Sequence, residues 1–392
     1  MKKNKWFVLL ALFCVTILGC KEDILAPLEK DSVAPQPISN PVSERMAGAV
    51  KVSYNLPSDA DLMYVMAEYT NKYGKVISVK ASSYTNSLTV DGFADTASYN
   101  LNLYAIDKSE NKSAPVTIKV KALEPPIFAI RRSLALVTDF GGINISFANP
   151  TEANIAVVVT YKDSLGNFAT KETIYTKSKS GIFSSRGFPS KETIFGVYIR
   201  DRWDNRTDTA KATLTPIFEK ELDKSKFKVL TLPTDAPVGW GLPINNLWDK
   251  VISAEGNMWH TTDVGMPLHV TFDLGVTAKI SRFTLWQRQG VWIYNHGNPK
   301  RYEIWGSNNP ASDGSYTNWT RLASCVSVKP SAQPLGSNSN EDVEAAARGE
   351  ENNVPLNAAP VRYIRIRVLE TWAGPGGQAA HVSEMTFYGN DK

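Results

Sequence analysis

Two stretches near the C-terminus concentrate side chains suited to a polyhydroxylated ligand. Residues 287–298 read QRQGVWIYNHGN and residues 370–381 read ETWAGPGGQAAH. Each mixes aromatic rings with Arg, Asn, Gln or His among small residues. A sugar offers one apolar ring face and a rim of hydroxyls. A flat aromatic covers the face, and fixed donors and acceptors take the rim. Trp292, Tyr294 and Trp372 are the stacking candidates. Arg288, Asn295, His296, Gln378 and His381 are the candidate hydroxyl partners. Trp240, set between Gly239 and Gly241, can project into solvent in the same way. Trp248, Trp259, Trp286, Trp305 and Trp319 read instead as core or loop anchors.

Signatures of catalysis are missing from the text. There is no Gly-x-Ser-x-Gly elbow, no His-Glu-x-x-His and no phosphate-cradling glycine loop. A glycosidase needs two opposed carboxylates in a deep cleft. Short sandwich-like segments account for the whole chain and leave no room for a catalytic barrel, so a non-enzyme is expected. The net charge of +4 is spread thinly, which argues against a nucleic-acid surface. Of the 3 cysteines, Cys14 and Cys20 lie at the N-terminus and Cys325 stands alone, so an intramolecular disulfide is not expected. Histidines occur only at 260, 269, 296 and 381, too few to expect a histidine-rich metal cluster.

The elements that must position the loops are strands. From Val50 onward, short runs such as VKVSYNL, MYVMAEYT and YNLNLYAID alternate apolar and polar residues between Gly, Pro, Asn and Asp turns. The text then recurs. Residues 52–60 line up with 145–153, Asp91-Gly92-Phe93 with Arg186-Gly187-Phe188, and the run ending at Asp107 and Asn111 answers that around Asp201 and Asn205, one residue off register. Pro125-Pro126 marks the joint. The repeat length is that of one β-sandwich, so a tandem pair is expected. Ahead of it, residues 20–44 carry four prolines among polar residues and read as an extended linker. Ser339 and Asp342 have capping-box spacing before an alanine run, which predicts a short helix on a long insertion.

The N-terminus resembles a bacterial lipoprotein leader. Lys2, Lys3 and Lys5 precede an apolar run, Trp6 to Leu18, that is short for a membrane span. Ile17-Leu18-Gly19-Cys20 resembles a lipobox, with Cys20 as the lipidated residue, and Lys21-Glu22-Asp23 resembles the signal for surface export in Bacteroidota. The resemblance implies a signal peptide over 1–19 and an outer-membrane, cell-surface lipoprotein anchored by its lipid.

Leu56-Pro57, Asp61-Leu62, the run Tyr99 to Asp107 and Asn111-Lys112-Ser113 make residues 45–124 resemble a fibronectin type III domain. Residues 125–220 resemble a looser immunoglobulin-like copy. Both are expected to be spacers. Residues 221–392 resemble a discoidin, or coagulation factor 5/8 type C, domain, the fold shared with family 32 carbohydrate-binding modules. The resemblance rests on Leu247-Trp248-Asp249 through Trp259-His260, Phe272-Asp273-Leu274-Gly275, Tyr302-Glu303-Ile304 with Ser307, Arg362-Tyr363-Ile364-Arg365, and Glu384 with Tyr388-Gly389. The fold class implied is all-β, two tandem sandwiches followed by a jelly roll with ligand loops at one end.

That resemblance implies non-catalytic binding of an oligo- or polysaccharide by the C-terminal domain. It also implies a structural calcium ion, with Asp249, Asn257 and Glu384 at the matching oxygen-ligand positions. The whole architecture resembles surface glycan-binding lipoproteins of polysaccharide-utilisation systems, which makes an outer-membrane transporter complex a candidate partner. The alternatives are an adhesin for host protein or glycoconjugate and a structural accessory subunit of the transporter.

Overall fold

The computed structural model describes residues 31–392. The leader, Cys20 and the start of the linker lie outside the described residues. Among the described residues, no helix is long and apolar enough to cross a membrane. The chain is nearly all β, in successive sandwiches.

The first sandwich packs a three-stranded sheet (Ser39–Met46, Ala49–Asn55, Ser87–Asp91) on a four-stranded one. The latter runs Val76–Ser82, Leu62–Thr70, Tyr99–Asp107, Val116–Val120. Alternation along Ala49–Asn55 sends Val50, Val52 and Tyr54 inward and Lys51 and Ser53 outward. Those residues meet Val65, Ala67, Leu101 and Leu103 from the facing sheet. The expected linker through residue 44 ends sooner, because Ser39–Met46 is an edge strand paired antiparallel to Ala49–Asn55. Pro41 is tolerated there: the register shifts between Ser39 and Val42, and an edge strand has no neighbour on one side to need its missing N–H.

The second sandwich repeats the plan with one change. A helix, Pro126–Ser133, takes the place of the first strand, with Pro126 in its first turn and Ile127 and Ile130 in the core. Its sheets are Ala135–Asp139, Gly142–Ala148, Ser180–Arg186 and Phe168–Thr176, Ile155–Lys162, Thr193–Asp201, Ala210–Leu214.

One turn recurs in both sandwiches in the same register. Asp107 Oδ1 accepts from Ser109 N and Asn111 N, and its Oδ2 from Asn111 Nδ2. Asp201 does the same with Trp203 N, Asn205 N and Asn205 Nδ2. The one-residue offset expected from sequence is therefore absent: the Asp-to-Asn turns align directly. Each Asn also reaches back to the preceding segment. Asn205 Nδ2 lies 3.2 Å from the Gly92 carbonyl, and Asn111 Nδ2 lies 2.8 Å from Asp31 Oδ1.

In the third unit, the strand Leu268–Trp286 belongs to two sheets. Its first part pairs with Val361–Thr371, which pairs with Pro299–Ser307 and then Thr320–Val326. Its second part pairs with Glu384–Asn390 and Glu350–Asn353. The crossing falls where the ladder shifts between Asp273 and Ala278. Gly275 permits it, since its φ is +69° and a Cβ would fall 2.2 Å from the Lys226 carbonyl oxygen. Trp259, Phe272, Phe283, Tyr302, Ile304, Ile364 and Phe387 fill the space between the sheets. The predicted helix is Asn340–Arg348, with both bonds of the Ser339–Asp342 capping box formed.

Candidate functional site

The short strands Trp259–His260 and His381–Val382 pair antiparallel, with Trp259 opposite Val382 and His260 opposite His381. Alternation turns Trp259 into the core and leaves His260 half-buried on the other side. Direct pairing brings the two imidazoles to 5.2 Å between ring centroids. His381 N donates to the Gly297 carbonyl, and a Cβ at Gly297 would fall 3.1 Å from His381 Nδ1. Glycine is what lets the 287–298 loop close over this ring.

These residues floor a cavity of about 380 Å3, whose lining includes Trp240, Asp263, Arg288, Trp292, His296 and Gln378. Trp240 forms the rim, 77% exposed, at φ +57° between its two glycines. The left-handed region is rare for so large a side chain. Gly239 N donates to the His260 carbonyl and Leu242 N to the Gly239 carbonyl, which fixes the turn. In the same lining, the Trp292 ring carries the Arg288 guanidinium 4.0 Å from its centroid and His296 edge-on at 4.6 Å.

The wall is stapled from behind. Asn298, fully buried, accepts from Arg288 N and donates to the carbonyls of Arg288 and Trp292. Arg288 Nε donates to the Ala254 carbonyl at 2.7 Å, and Nη2 lies 2.9 Å from Glu255 Oε2. Trp292 Nε1 donates to Glu255 Oε1 at 3.1 Å. The floor is different. His381 is 2% exposed, and neither ring nitrogen has a protein partner. Burial holds its pKa well below the usual imidazole range, reinforced by His260, Arg288 and His296 nearby, so the ring is neutral. Burial also lowers His260, whose Nδ1 lies 2.7 Å from the Thr261 carbonyl.

Six of the candidate residues therefore meet in one cavity: Trp240, Arg288, Trp292, His296, Gln378 and His381. Three do not. Tyr294 is 1% exposed and packs with Ile293 and Ala346, so it is core rather than a platform. Trp372 turns away, edge-on to Tyr294 at 5.4 Å, with Nε1 donating to Ser327 Oγ and Lys300 over its ring. Asn295 spends its Oδ1 on the His296 backbone N–H and is absent from the lining. His260 and Asp263 are members that the loop composition does not reveal.

Three family models match, each described as a domain of unknown function: DUF4959 over 35–122, DUF5126 over 123–225 and DUF5000 over 248–389. No curated protein matches the chain. A solved structure described as a SusE-like protein is 36% identical, over 68% of this chain and 100% of that one. The chain belongs to the SusE-like family. The identity over the relative's whole length carries this, since the TM-score is 0.46. A putative chitobiase fragment from Bacteroides thetaiotaomicron is 20% identical, covering 44% of this chain and 94% of that one, with TM-score 0.31. A Clostridium perfringens structure with two CBM32 domains and an M60 catalytic domain is 14% identical, over 44% and 15%, with TM-score 0.32. Neither of these two likenesses carries an argument.

The expected calcium site of this SusE-like chain does not fit the ion. Lys224 Nζ lies 2.6 Å from Glu384 Oε1 and 2.7 Å from Thr386 Oγ1, and both side chains of the ion pair are buried. Glu384 Oε2 accepts from Lys250 N, Asp249 Oδ1 from Val251 N and Asp249 Oδ2 from Asn257 Nδ2. Calcium needs six to eight oxygens free to face it. Here the Lys224 ammonium already stands against Glu384, and the Asn257 amide nitrogen against Asp249. Elsewhere, Asp31, Asp61 and Asp107 bring carboxylate oxygens within 4.8 Å of one another, but Asp31 and Asp107 are engaged by the turn at Asn111.

Proposed function

We propose that this SusE-like protein binds carbohydrate, without catalysis, in the cavity between Trp240, Trp292 and His381 of its C-terminal jelly roll. The observation that carries the reading is the pairing of an exposed aromatic rim with a buried, unpartnered imidazole floor. An exposed Trp held in left-handed backbone is a strained position of the kind found at ligand sites, and its open face can stack on a sugar ring. A buried polar ring without a partner is costly, and a sugar hydroxyl that reached Nε2 would supply one. Sugar offers both an apolar face and hydroxyls, so one ligand meets both needs.

The non-catalytic part of the proposal follows from the acids. Asp263 lines the cavity, and Glu255 beside it is committed to Arg288 and Trp292. A glycosidase pair needs two carboxylates free to face the scissile bond. Family membership and the lipobox-like leader favour a lipid-anchored protein on the outer cell surface, acting beside a Sus-type outer-membrane transporter. The two preceding sandwiches then hold the jelly roll away from the membrane.

A glycan array probed with the whole protein tests the reading, with Trp240→Ala as the control. Glycan signal that disappears in the folded variant supports it. Glycan signal that persists moves the site elsewhere.

A further inference from the structure

The cavity shows a polarity of its own. Its permanent cation, Arg288, is already compensated: Nη2 is paired with Glu255, Nε with the Ala254 carbonyl, and one guanidinium face lies on Trp292. Its other formal charge is the Asp263 carboxylate, exposed on the lining. A negatively charged ligand would meet Asp263 and Glu255 with no uncommitted permanent cation to receive it. His381 adds a second constraint. A neutral imidazole has one N–H donor and one lone-pair acceptor. Both are buried and unpartnered here. Nδ1 lies under the Gly297 backbone, which leaves Nε2 as the one ring atom that a ligand hydroxyl could pair with, as donor or as acceptor. A carboxylate or sulfate only accepts, so it can pair with that nitrogen in one tautomer alone, whereas a hydroxyl can pair with either.

We infer that the cavity selects an uncharged sugar unit and discriminates against uronic acids and sulfated sugars. The inference rests on the carbohydrate reading and adds the ligand's charge class to it. Burial of His381 supports it, because the ring stays neutral and cannot become a cationic partner for an anion at ordinary pH.

The test uses the whole protein and matched pairs of oligosaccharides that differ in charge. Suitable pairs are galactose against galacturonic acid oligomers, glucose against glucuronic acid oligomers, and N-acetylgalactosamine with and without sulfate. Calorimetry should show binding to at least one neutral member, with its charged partner at least tenfold weaker. Asp263→Asn and Glu255→Gln should each move the charged-to-neutral affinity ratio at least threefold towards the charged member. A charged member that binds as well as its neutral partner overturns the inference and leaves the carbohydrate reading standing. Ratios unmoved in both variants, at normal melting temperature, also overturn it. Binding to neither kind overturns both readings.

Discussion

Lys224 Nζ sits 2.6 Å from Glu384 Oε1 inside the jelly roll, joining the segment that enters the domain to its last strand. The pair ties the two ends of the domain together. Burial raises Glu384 to about 7 against the pull of Lys224, so desolvation outweighs the attraction. Lys224→Met removes the ammonium and leaves the carboxyl buried. The expected cost is about 3 kcal/mol at pH 8 and less at pH 5, where Glu384 takes a proton. Lys224→Met combined with Glu384→Met should recover most of it. Because the ammonium already faces Glu384, calcium chloride or a chelator should leave the wild-type melting temperature unchanged. A rise of several degrees with calcium would show that the ion displaces Lys224.

The joint between the sandwiches rests on equally local contacts. Gly92 has φ +90°, and a Cβ there would fall 2.8 Å from the Trp203 ring. Beside it, Arg202 pairs with Asp91 at 3.1 Å and Asn205 holds the Gly92 carbonyl. Gly92→Val should wedge Trp203 out and loosen the joint while each sandwich stays folded. Small-angle scattering is the measurement, and a broadened distance distribution is the expected result. An unchanged profile would show that the neighbouring contacts hold the joint without Trp203.

Glu350 gives a pH-dependent prediction. Burial raises its pKa from 4.5 to about 7, with Ser327 Oγ donating to Oε1. A carboxyl whose folded pKa is raised favours the folded state while it is protonated. That contribution is full below the unfolded pKa and is lost as pH rises through about 7. Glu350→Gln should therefore look more favourable relative to wild type at pH 8 than at pH 5. The difference has an upper bound of roughly 3 kcal/mol. Denaturant titrations at the two pH values measure it, and parallel curves would show that Glu350 keeps an ordinary pKa.

The fold was largely legible because it depends on alternation. Strand runs, the capping box at Ser339 and Asp342, and the repeated Asp-to-Asn turn are all local patterns. The site was legible in part, for a physical reason. Loop composition shows that aromatics are present but not which way they face. Tyr294 and Trp372 look like platforms in the text, yet the helix of the insertion brings Ala346 onto Tyr294, and Ser327 takes the Trp372 indole N–H. Both covers come from far along the chain. His260 was hidden differently. It follows a core Trp in a two-residue strand, and only its pairing opposite His381 gives it a place in the cavity. Lys224, which stands against Glu384 at the expected calcium position, lies outside the motif that suggested the ion.

The two loop tryptophans should separate binding from stability. Trp240 is 77% exposed and touches little but the His260 ring, 6.2 Å away edge-on, so Trp240→Ala should leave the melting temperature nearly unchanged. If its face carries the sugar, truncation strips most of the buried apolar area and costs about 2 kcal/mol of binding. Parent affinity for one sugar in an open site should itself be weak, on the order of micromolar to millimolar. Trp372→Ala should behave in the opposite way. Its ring packs on Tyr294 and its Nε1 holds Ser327, so the loss falls on the insertion and should cost about 2 kcal/mol of stability. Affinity should change little once the protein is folded. Calorimetry with a glycan found on the array, paired with melting curves for both variants, reads the two effects independently. If Trp372→Ala abolishes binding at normal stability while Trp240→Ala binds as the parent does, the ligand lies on the other side of the 287–298 loop.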